Sequence, residues 1–334
     1  MTGAPHISVM AEEAVAALTP KPGGVYVDAT FGAGGYARAI LNAAPCTVYA
    51  FDRDPTAIER AQDWIADFCD RLILLERPFA DMEDALAEYG VRAVDGVVFD
   101  LGVSSMQLDE GARGFSFLRD GPLSMRMDGA KPDAQDVVAT ASEGQLIAIF
   151  RTYGEEKRAR VIARAIIAAR DETPITTTTM LAAIVEKAAP KAPGSKIHAA
   201  TRVFQGLRIY VNDELGQLVQ GLHAAECLLR PDGKLSVVTF HSLEDRIVKQ
   251  FLKRRSARRA APSRFAPPPQ DAGAPSFNVV KSKHTAPSDD EIARNPRARS
   301  AKLRVGERRN APVFDDEADA PLFSVPPILE NIIR

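Results

Sequence analysis

Val25-Tyr-Val-Asp-Ala-Thr-Phe-Gly-Ala-Gly-Gly-Tyr36 reads as a buried strand that ends on an acid and runs into a glycine-rich turn. Ala37, Ile40 and Leu41 then fall at helical spacing. Eighteen residues past Gly34, a second apolar run, Thr47-Val-Tyr-Ala-Phe51, ends on Asp52. Strand, glycine turn, helix, strand and terminal acid together make a βαβ unit of the kind that cradles a nucleotide.

Glycines let the backbone approach a ligand closely, and an acid at the end of the second strand can accept both hydroxyls of a ribose. These features suit NAD and S-adenosylmethionine alike. A dinucleotide site places pyrophosphate on the helix N-terminus behind G-x-G-x-x-G. Here the turn is Gly32-x-Gly34-Gly35, with Ala37 at the position of the looser fingerprint. Asp28, just before the turn, would repel pyrophosphate. It suits a ligand with an ammonium and a sulfonium, so the residues favour S-adenosylmethionine.

Working outward, Arg71–Leu75 and Val94–Asp100 read as third and fourth strands, with a helical pattern over Phe79–Tyr89 between them. Alternating strands and helices predict a parallel sheet covered on both faces, an α/β Rossmann-like fold. The rhythm then stops until Lys234–Phe240. The intervening residues carry helix signals: a Ser142/Gln145 capping box, Glu155–Arg170, Thr178–Ala188, and a helix from Asp213 towards Leu229. They predict a helical domain inserted after the fourth strand. An amphipathic helix follows His241–Asp245, residues 260–276 read as a Pro/Ala/Gly-rich loop, and Phe277–Val280 and Ala301–Val305 read as two late strands. A short helix between those strands starts at Ser288, with Glu291 completing a capping box. The expected division is a sheet domain of 1–108 and 216–310, an insertion of 109–215, and a tail of 311–334.

The chain has 334 residues, 46% hydrophobic and 26% charged, enough for a sizeable core and one or two domains. No apolar run is long enough to span a bilayer, and no secretory leader is evident at the N-terminus. Three separated cysteines and five scattered histidines give no metal-ligand spacing, so no metal is expected. Reduced thiols fit the cytoplasm. The net charge of −2 is uneven: residues 253–310 hold fifteen Lys/Arg against five Asp/Glu, a local +10 that leaves −12 elsewhere. Such a block fits either a polyanion contact or a solvated charged tail.

The ordered motifs carry a resemblance. They are His6–Val15, Asp28–Gly35, Phe51–Pro55, Asp100–Gln107, Arg113–Phe117, Arg119–Asp128, Phe204–Leu215 and Phe240–Arg246. In this order they resemble the MraW family, bacterial small-subunit rRNA (cytosine-N4)-methyltransferases, from about residue 6 to 310. The resemblance implies S-adenosylmethionine, a cytoplasmic enzyme, and transfer to N4 of a cytidine in the decoding region of 16S rRNA within the small subunit. It implies cofactor contacts from Gly34, Gly35, Tyr36, Asp52, Phe79, Asp100 and Gln107. The family commonly has His where this chain has Tyr36; a backbone contact there is indifferent to the change. A homodimer is compatible with the sequence, which does not set the oligomeric state.

Cytosine N4 is a poor nucleophile because its lone pair is delocalised into the ring. A site must accept hydrogen bonds from the amine and align nitrogen with methyl. Many amino-methylating enzymes use Asp-Pro-Pro-Tyr after the fourth strand. Here the place is held by Asp100-Leu-Gly-Val103, which keeps only the acid. Asp100 is therefore the candidate catalytic residue, and a stacking aromatic must come from elsewhere: Phe115, Phe117 or Phe240. His241 follows the fifth strand, where it is either a site residue or a structural one. Arg113, Arg119 and Arg126 are candidates for substrate phosphates; Arg202 and Arg208 fit that role or salt-bridged helix faces. Rival readings are methylation of DNA or a small molecule, and a non-catalytic nucleotide-binding module.

Overall fold

The computed structural model describes residues 8–191, 199–256, 274–281 and 283–313. The loop read over 260–276 therefore lies outside the described residues up to 273, as does the tail from 314 onward.

The chain opens with helix α1 (Ala11–Leu18), strand β1 (Val25–Asp28), α2 (Gly35–Ala43), β2 (Thr47–Asp52) and α3 (Pro55–Ile65). Next come β3 (Leu72–Glu76), a 3-10 turn at Phe79–Asp81, α4 (Met82–Glu88) and β4 (Val94–Asp100). Helices α5 (Ser105–Asp109), α6 (Ala134–Thr140), α7 (Glu143–Thr152), α8 (Ala159–Glu172), α9 (Thr178–Ala188) and α10 (Ala199–Asn212) follow. The chain continues with α11 (Glu214–Leu228), β5 (Leu229–Thr239), α12 (Ser242–Ser256), β6 (Phe277–Val279), α13 (Asp289–Arg294) and β7 (Lys302–Arg308).

Two compact units result. One comprises the chain up to Gly102 and from Gln217; the other is Val103–Gly216. The first holds a seven-stranded sheet in the order β3-β2-β1-β4-β5-β7-β6. Strands β1 to β5 pair in parallel; β7 runs antiparallel to β5 and β6. Near-continuous burial along β4 is what a parallel strand covered on both faces requires. On one face, Ala14, Leu18, Ile40 and Leu41 of α1 and α2 join Val48, Val98, Val238 and Leu303 of the sheet in a single core. Strand order reverses between β1 and β4, so their carboxyl ends flank the crevice where open α/β sheets bind ligands.

Helix α1 has no counterpart in the strand-and-helix pattern read from residue 25 on. It closes over the sheet, and Ser236 Oγ donates to the Ala14 carbonyl at 3.3 Å. Strand β5 begins at Leu229, earlier than Lys234. Leu229 pairs with Val94, and the register then jumps to Gly96–Lys234, so the turn around Pro231–Gly233 is absorbed as an irregularity. Ser288 caps α13 by accepting from Glu291 N–H at 3.1 Å. The Glu291 carboxylate does not return to Ser288 as the capping box requires; its Oε1 accepts Met10 N–H at 2.6 Å and ties the two ends of the unit together.

In the helical unit, the Ser142/Gln145 capping box forms as read. Leu146, Ile149 and Phe150 of α7, Ile162 and Ile166 of α8, Leu181 and Val185 of α9, and Val203 and Leu207 of α10 are all buried. Among the described residues no helix is long and apolar enough to cross a membrane.

Candidate active site at the carboxyl edge of the sheet

Three acids end three adjacent strands. Asp28 of β1 is in register with Ala50 of β2 and Val98 of β4. Asp52 and Asp100 therefore each stand two residues further out, roughly 7 Å at the rise of a strand. Asp28 forms the floor of the crevice, with Asp52 and Asp100 on either lip.

The glycine turn is fastened across this fork. Ala29 N–H donates to the Val98 carbonyl at 2.9 Å and Phe31 N–H to the Phe51 carbonyl at 2.8 Å. Asp28 is fully buried and accepts from Thr30 N–H at 3.2 Å and Ala37 N–H at 3.0 Å. Its carboxylate thus braces the turn and the first turn of α2. Asp52 Oδ2 accepts from Gly32 N–H at 2.7 Å and Oδ1 from Asp54 N–H at 2.8 Å. Each oxygen has a second lone pair, which is what a ribose diol needs.

Asp100 is different. Its backbone N–H donates to Thr30 Oγ1 at 2.6 Å, and its side-chain Oδ1 is buried without a hydrogen-bond partner. Burial pushes its carboxyl well above the usual range, and the charges of Asp28 and Glu244 push it further. Burial likewise raises Asp28 to about 7, with a contribution from Asp52, and raises Asp52 to about 6. A crevice whose acids resist ionisation is stabilised by a cation, the chemistry of a sulfonium and an ammonium.

Gly34 and Gly35 make the cradle. Gly34 has φ 77°, and a Cβ there would lie 2.2 Å from Trp64 Cζ2; a Cβ on Gly35 would lie 1.8 Å from Ser8 Oγ. The N-terminus of α2 has no side-chain cap, which suits an anionic group such as a carboxylate. Trp64 stacks on Phe31 at 5.8 Å and carries the Arg38 guanidinium 4.2 Å from its ring. Tyr36 is buried and its phenol donates to the Val9 carbonyl, so the side chain faces the core and the backbone is what Tyr36 offers at the turn. Phe79, after β3, sets its ring edge-on to Phe99 at 5.3 Å and lies against Gly221, where a Cβ would come within 2.6 Å of it.

Beyond β5, Glu244 is a buried residue that the sequence reading did not single out. Its Oε2 accepts from Phe240 N–H at 2.8 Å and His241 N–H at 3.2 Å, while His241 Nδ1 accepts from Glu244 N–H at 3.4 Å. This is a reciprocal cap for α12. His241 Nε2 stands 3.0 Å from Glu244 Oε1 but makes no hydrogen bond. A Glu three residues past a strand-end His was the available signal. Phe240 is half-buried beside Gly102, whose Cβ position is 3.7 Å from its ring.

The helical unit holds the remaining candidates. Gln107 Oε1 accepts from Ser104 N–H at 3.0 Å, closing a capping box on α5. Three of the expected phosphate ligands are engaged in shaping their own loop. Arg113 donates to the carbonyls of Arg126 and Met127, Arg119 to that of Asp109, and Arg126 to Asp128 and the Val211 carbonyl. Arg208 forms a two-pronged pair with Glu214 at 2.7 Å, and Arg202 lies 3.6 Å from Glu156. Phe115 is buried, and Phe117 packs edge-on against Phe204 at 5.1 Å.

Compared with known proteins, the chain is similar along nearly its whole length to several named ribosomal RNA small subunit methyltransferase H. It is 51% identical over 330 residues to the one from Parvibaculum lavamentivorans, covering 99% of this chain and 97% of that protein. It is 55% identical over 329 residues to the one from Rhodopseudomonas palustris strain TIE-1 (98% and 97%). It is 53% identical over 315 residues to the one from Caulobacter vibrioides NA1000 (94% and 99%). Residues 3–309 match the MraW methylase family. The acidic crevice, its glycine cradle and this match agree: the chain belongs to the MraW methylase family and is an S-adenosylmethionine-dependent methyltransferase.

Proposed function

We propose that the enzyme methylates N4 of a cytidine in the decoding region of 16S rRNA, acting in the cytoplasm on the small ribosomal subunit. The relatives' names support small-subunit rRNA as the substrate. The observation that carries the choice of an exocyclic amine is Asp100: a buried carboxyl oxygen without a partner, at the lip of the crevice. An amine is a hydrogen-bond donor, and an unfilled acceptor away from water strongly selects for one.

The residues that would hold the cofactor fit it. Gly34, Gly35 and the Tyr36 backbone would lie along its methionyl part, Asp52 would accept its ribose hydroxyls, and Phe79 would lie beside its adenine. Asp100 and Gln107 complete the set implied by the family. When bound, the cofactor supplies an electrophilic methyl on a cationic sulfur.

Asp100 then does two things. Its Oδ1 accepts a hydrogen bond from the N4 amine, which draws the nitrogen lone pair out of conjugation with the ring. Ionised in the presence of a cationic ligand, it also takes up the proton that the methylated nitrogen sheds. Thr30 and the turn fix its backbone, so the carboxyl is preorganised. The base must leave its stack to reach such a group, and Phe240 beside Gly102 is the aromatic of this unit best placed to receive it. The helical unit, read as 109–215, supplies substrate recognition.

The test is transfer of labelled methyl to isolated small subunits, naked 16S rRNA and duplex DNA. Label in N4-methylcytidine of the rRNA is expected. Transfer to DNA alone, or none to any RNA, would refute the reading.

A further inference from the structure

We propose that the exposed ridge of α12 is a docking surface for the phosphodiester backbone of the substrate RNA; this rests on the rRNA-methylating function above. Helix α12 buries Leu243, Ile247, Val248, Phe251 and Leu252. Arg246, Lys249 and Lys253 are exposed. They follow one another at three and four residues, so they lie in one line on the opposite side. The line is about 10 Å long at the rise of a helix.

No acid interrupts it. Between Arg246 and Arg255 the helix contains no Asp or Glu. The two acids in its first turn are already committed: Glu244 to the cap, and Asp245 to Lys302 Nζ at 3.1 Å and Arg304 Nε at 2.7 Å. These pairs set Lys302, which is partly exposed, and Arg304, which is nearly covered, beside the first turn of α12. Lys249, Lys302 and Arg304 all act on His284, which burial and these three charges hold below the usual imidazole range despite Asp245. Three cations and one acid act on this imidazole.

Favourable placement against the dipole at a helix C-terminus is one source of such cations. It covers Lys253 and Arg254 in the last turn. It does not reach Lys249 further up the helix. Arg255 is excluded from the ridge, because it is fully buried against Glu226. Position decides the rest: Lys302 is in register with Thr239, the last residue of β5, and Asp100 with Val238. The ridge therefore starts at the same sheet edge as the candidate catalytic acid. Phosphates flanking an extruded nucleotide need cations beside the pocket, and phosphate contacts fix register without reading sequence.

The experiment measures binding of full-length Lys249→Ala/Lys253→Ala to isolated small subunits across salt concentrations, alongside wild type and Arg92→Ala, an exposed cation at the opposite edge of the sheet. Each lost contact should lower the slope of log affinity against log salt by about 0.7, and the pair should cost roughly 25-fold in affinity near 0.1 M salt. S-adenosylmethionine affinity should match wild type, and Arg92→Ala should change neither quantity. An unchanged slope in the double variant overturns the proposal while leaving the function standing. So does a parallel loss of cofactor affinity, which would place the defect in the sheet rather than on the ridge. A wild-type enzyme that methylates no small-subunit RNA overturns the function and this proposal with it.

Discussion

The Asp100 backbone N–H donates to Thr30 Oγ1 at 2.6 Å. The bond joins the residue that ends β4 to the turn that follows β1, across the point where strand order reverses. One hydroxyl therefore fixes the candidate catalytic acid relative to the cofactor cradle.

Replacing Thr30 by Val keeps the branched shape and removes the acceptor. A part-buried N–H left without a partner costs about 1–3 kcal/mol. Thr30→Val should lower the unfolding free energy by that order and reduce kcat more than tenfold. Thr30→Ser should recover most of both. Denaturant titration and single-turnover methyl transfer check this; equal losses in Val and Ser would show that the hydroxyl is not what matters.

Asp52→Ala should weaken S-adenosylmethionine binding by about 10- to 100-fold, the range for losing hydrogen bonds to a charged acceptor. The variant should still fold, because the buried brace of the turn is Asp28, whose bonds to Thr30 and Ala37 N–H are untouched. Calorimetric titration with a circular-dichroism spectrum decides. Wild-type affinity would remove Asp52 from the ribose.

The acids also set a pH dependence. Their ordinary value is 3.8, and the fold raises Asp28 to about 7 and Asp52 to about 6. The folded chain therefore binds more protons than the unfolded one between these limits. The stability involved is fully present below about pH 4 and is lost as pH rises through about 6 and 7. A cationic ligand prefers the ionised acids, so the rise in melting temperature caused by S-adenosylmethionine should grow over the same window. Melting curves with and without cofactor, from about pH 5 to pH 8, would show it. A cofactor effect that is flat or shrinks with pH would contradict the charge assignment.

Gly34→Ala meets three obstacles: φ 77°, Trp64 Cζ2 only 2.2 Å from the new Cβ, and Phe31 Cε2 at 2.9 Å. The expected cost is about 1–3 kcal/mol, with cofactor binding lost. In a Trp64→Ala background, the further cost of Gly34→Ala should shrink but not vanish, because the Phe31 contact and the backbone strain remain. A cost that vanishes in that background would mean that the left-handed turn is not required.

The parallel sheet was legible because its strands are buried on both faces and read as unbroken apolar runs ending in acids, as β4 does down to Asp100. Helix α1 was not. Its eight residues of mainly Ala and Glu give a short pattern, and its place over the sheet is set by tertiary bonds such as Glu291 to Met10 that no local pattern encodes. Strand β5 was read late because Pro231 and Gly233 look like a stop, whereas the sheet accommodates them as an irregularity. That Arg113, Arg119 and Arg126, read as candidates for substrate phosphates, also serve carbonyls around their own loop was hidden by its glycine-punctuated pattern. At the site, strand-end acids announced Asp28, Asp52 and Asp100 together. That Asp28 is a recessed brace while Asp100 keeps an unpartnered oxygen depends on a two-residue difference in register, visible only once the strands are paired.

The central claim, that this chain methylates cytidine N4 through Asp100, is tested most directly in a strain lacking its gene. N4-methylation would be mapped in 16S rRNA after complementation with wild type or with Asp100→Asn, the latter first shown to bind S-adenosylmethionine. The account predicts that the mark disappears on deletion, returns with wild type, and stays absent or falls at least 100-fold in initial rate with Asp100→Asn. A mark that survives deletion, or that Asp100→Asn restores at the wild-type rate, would contradict it.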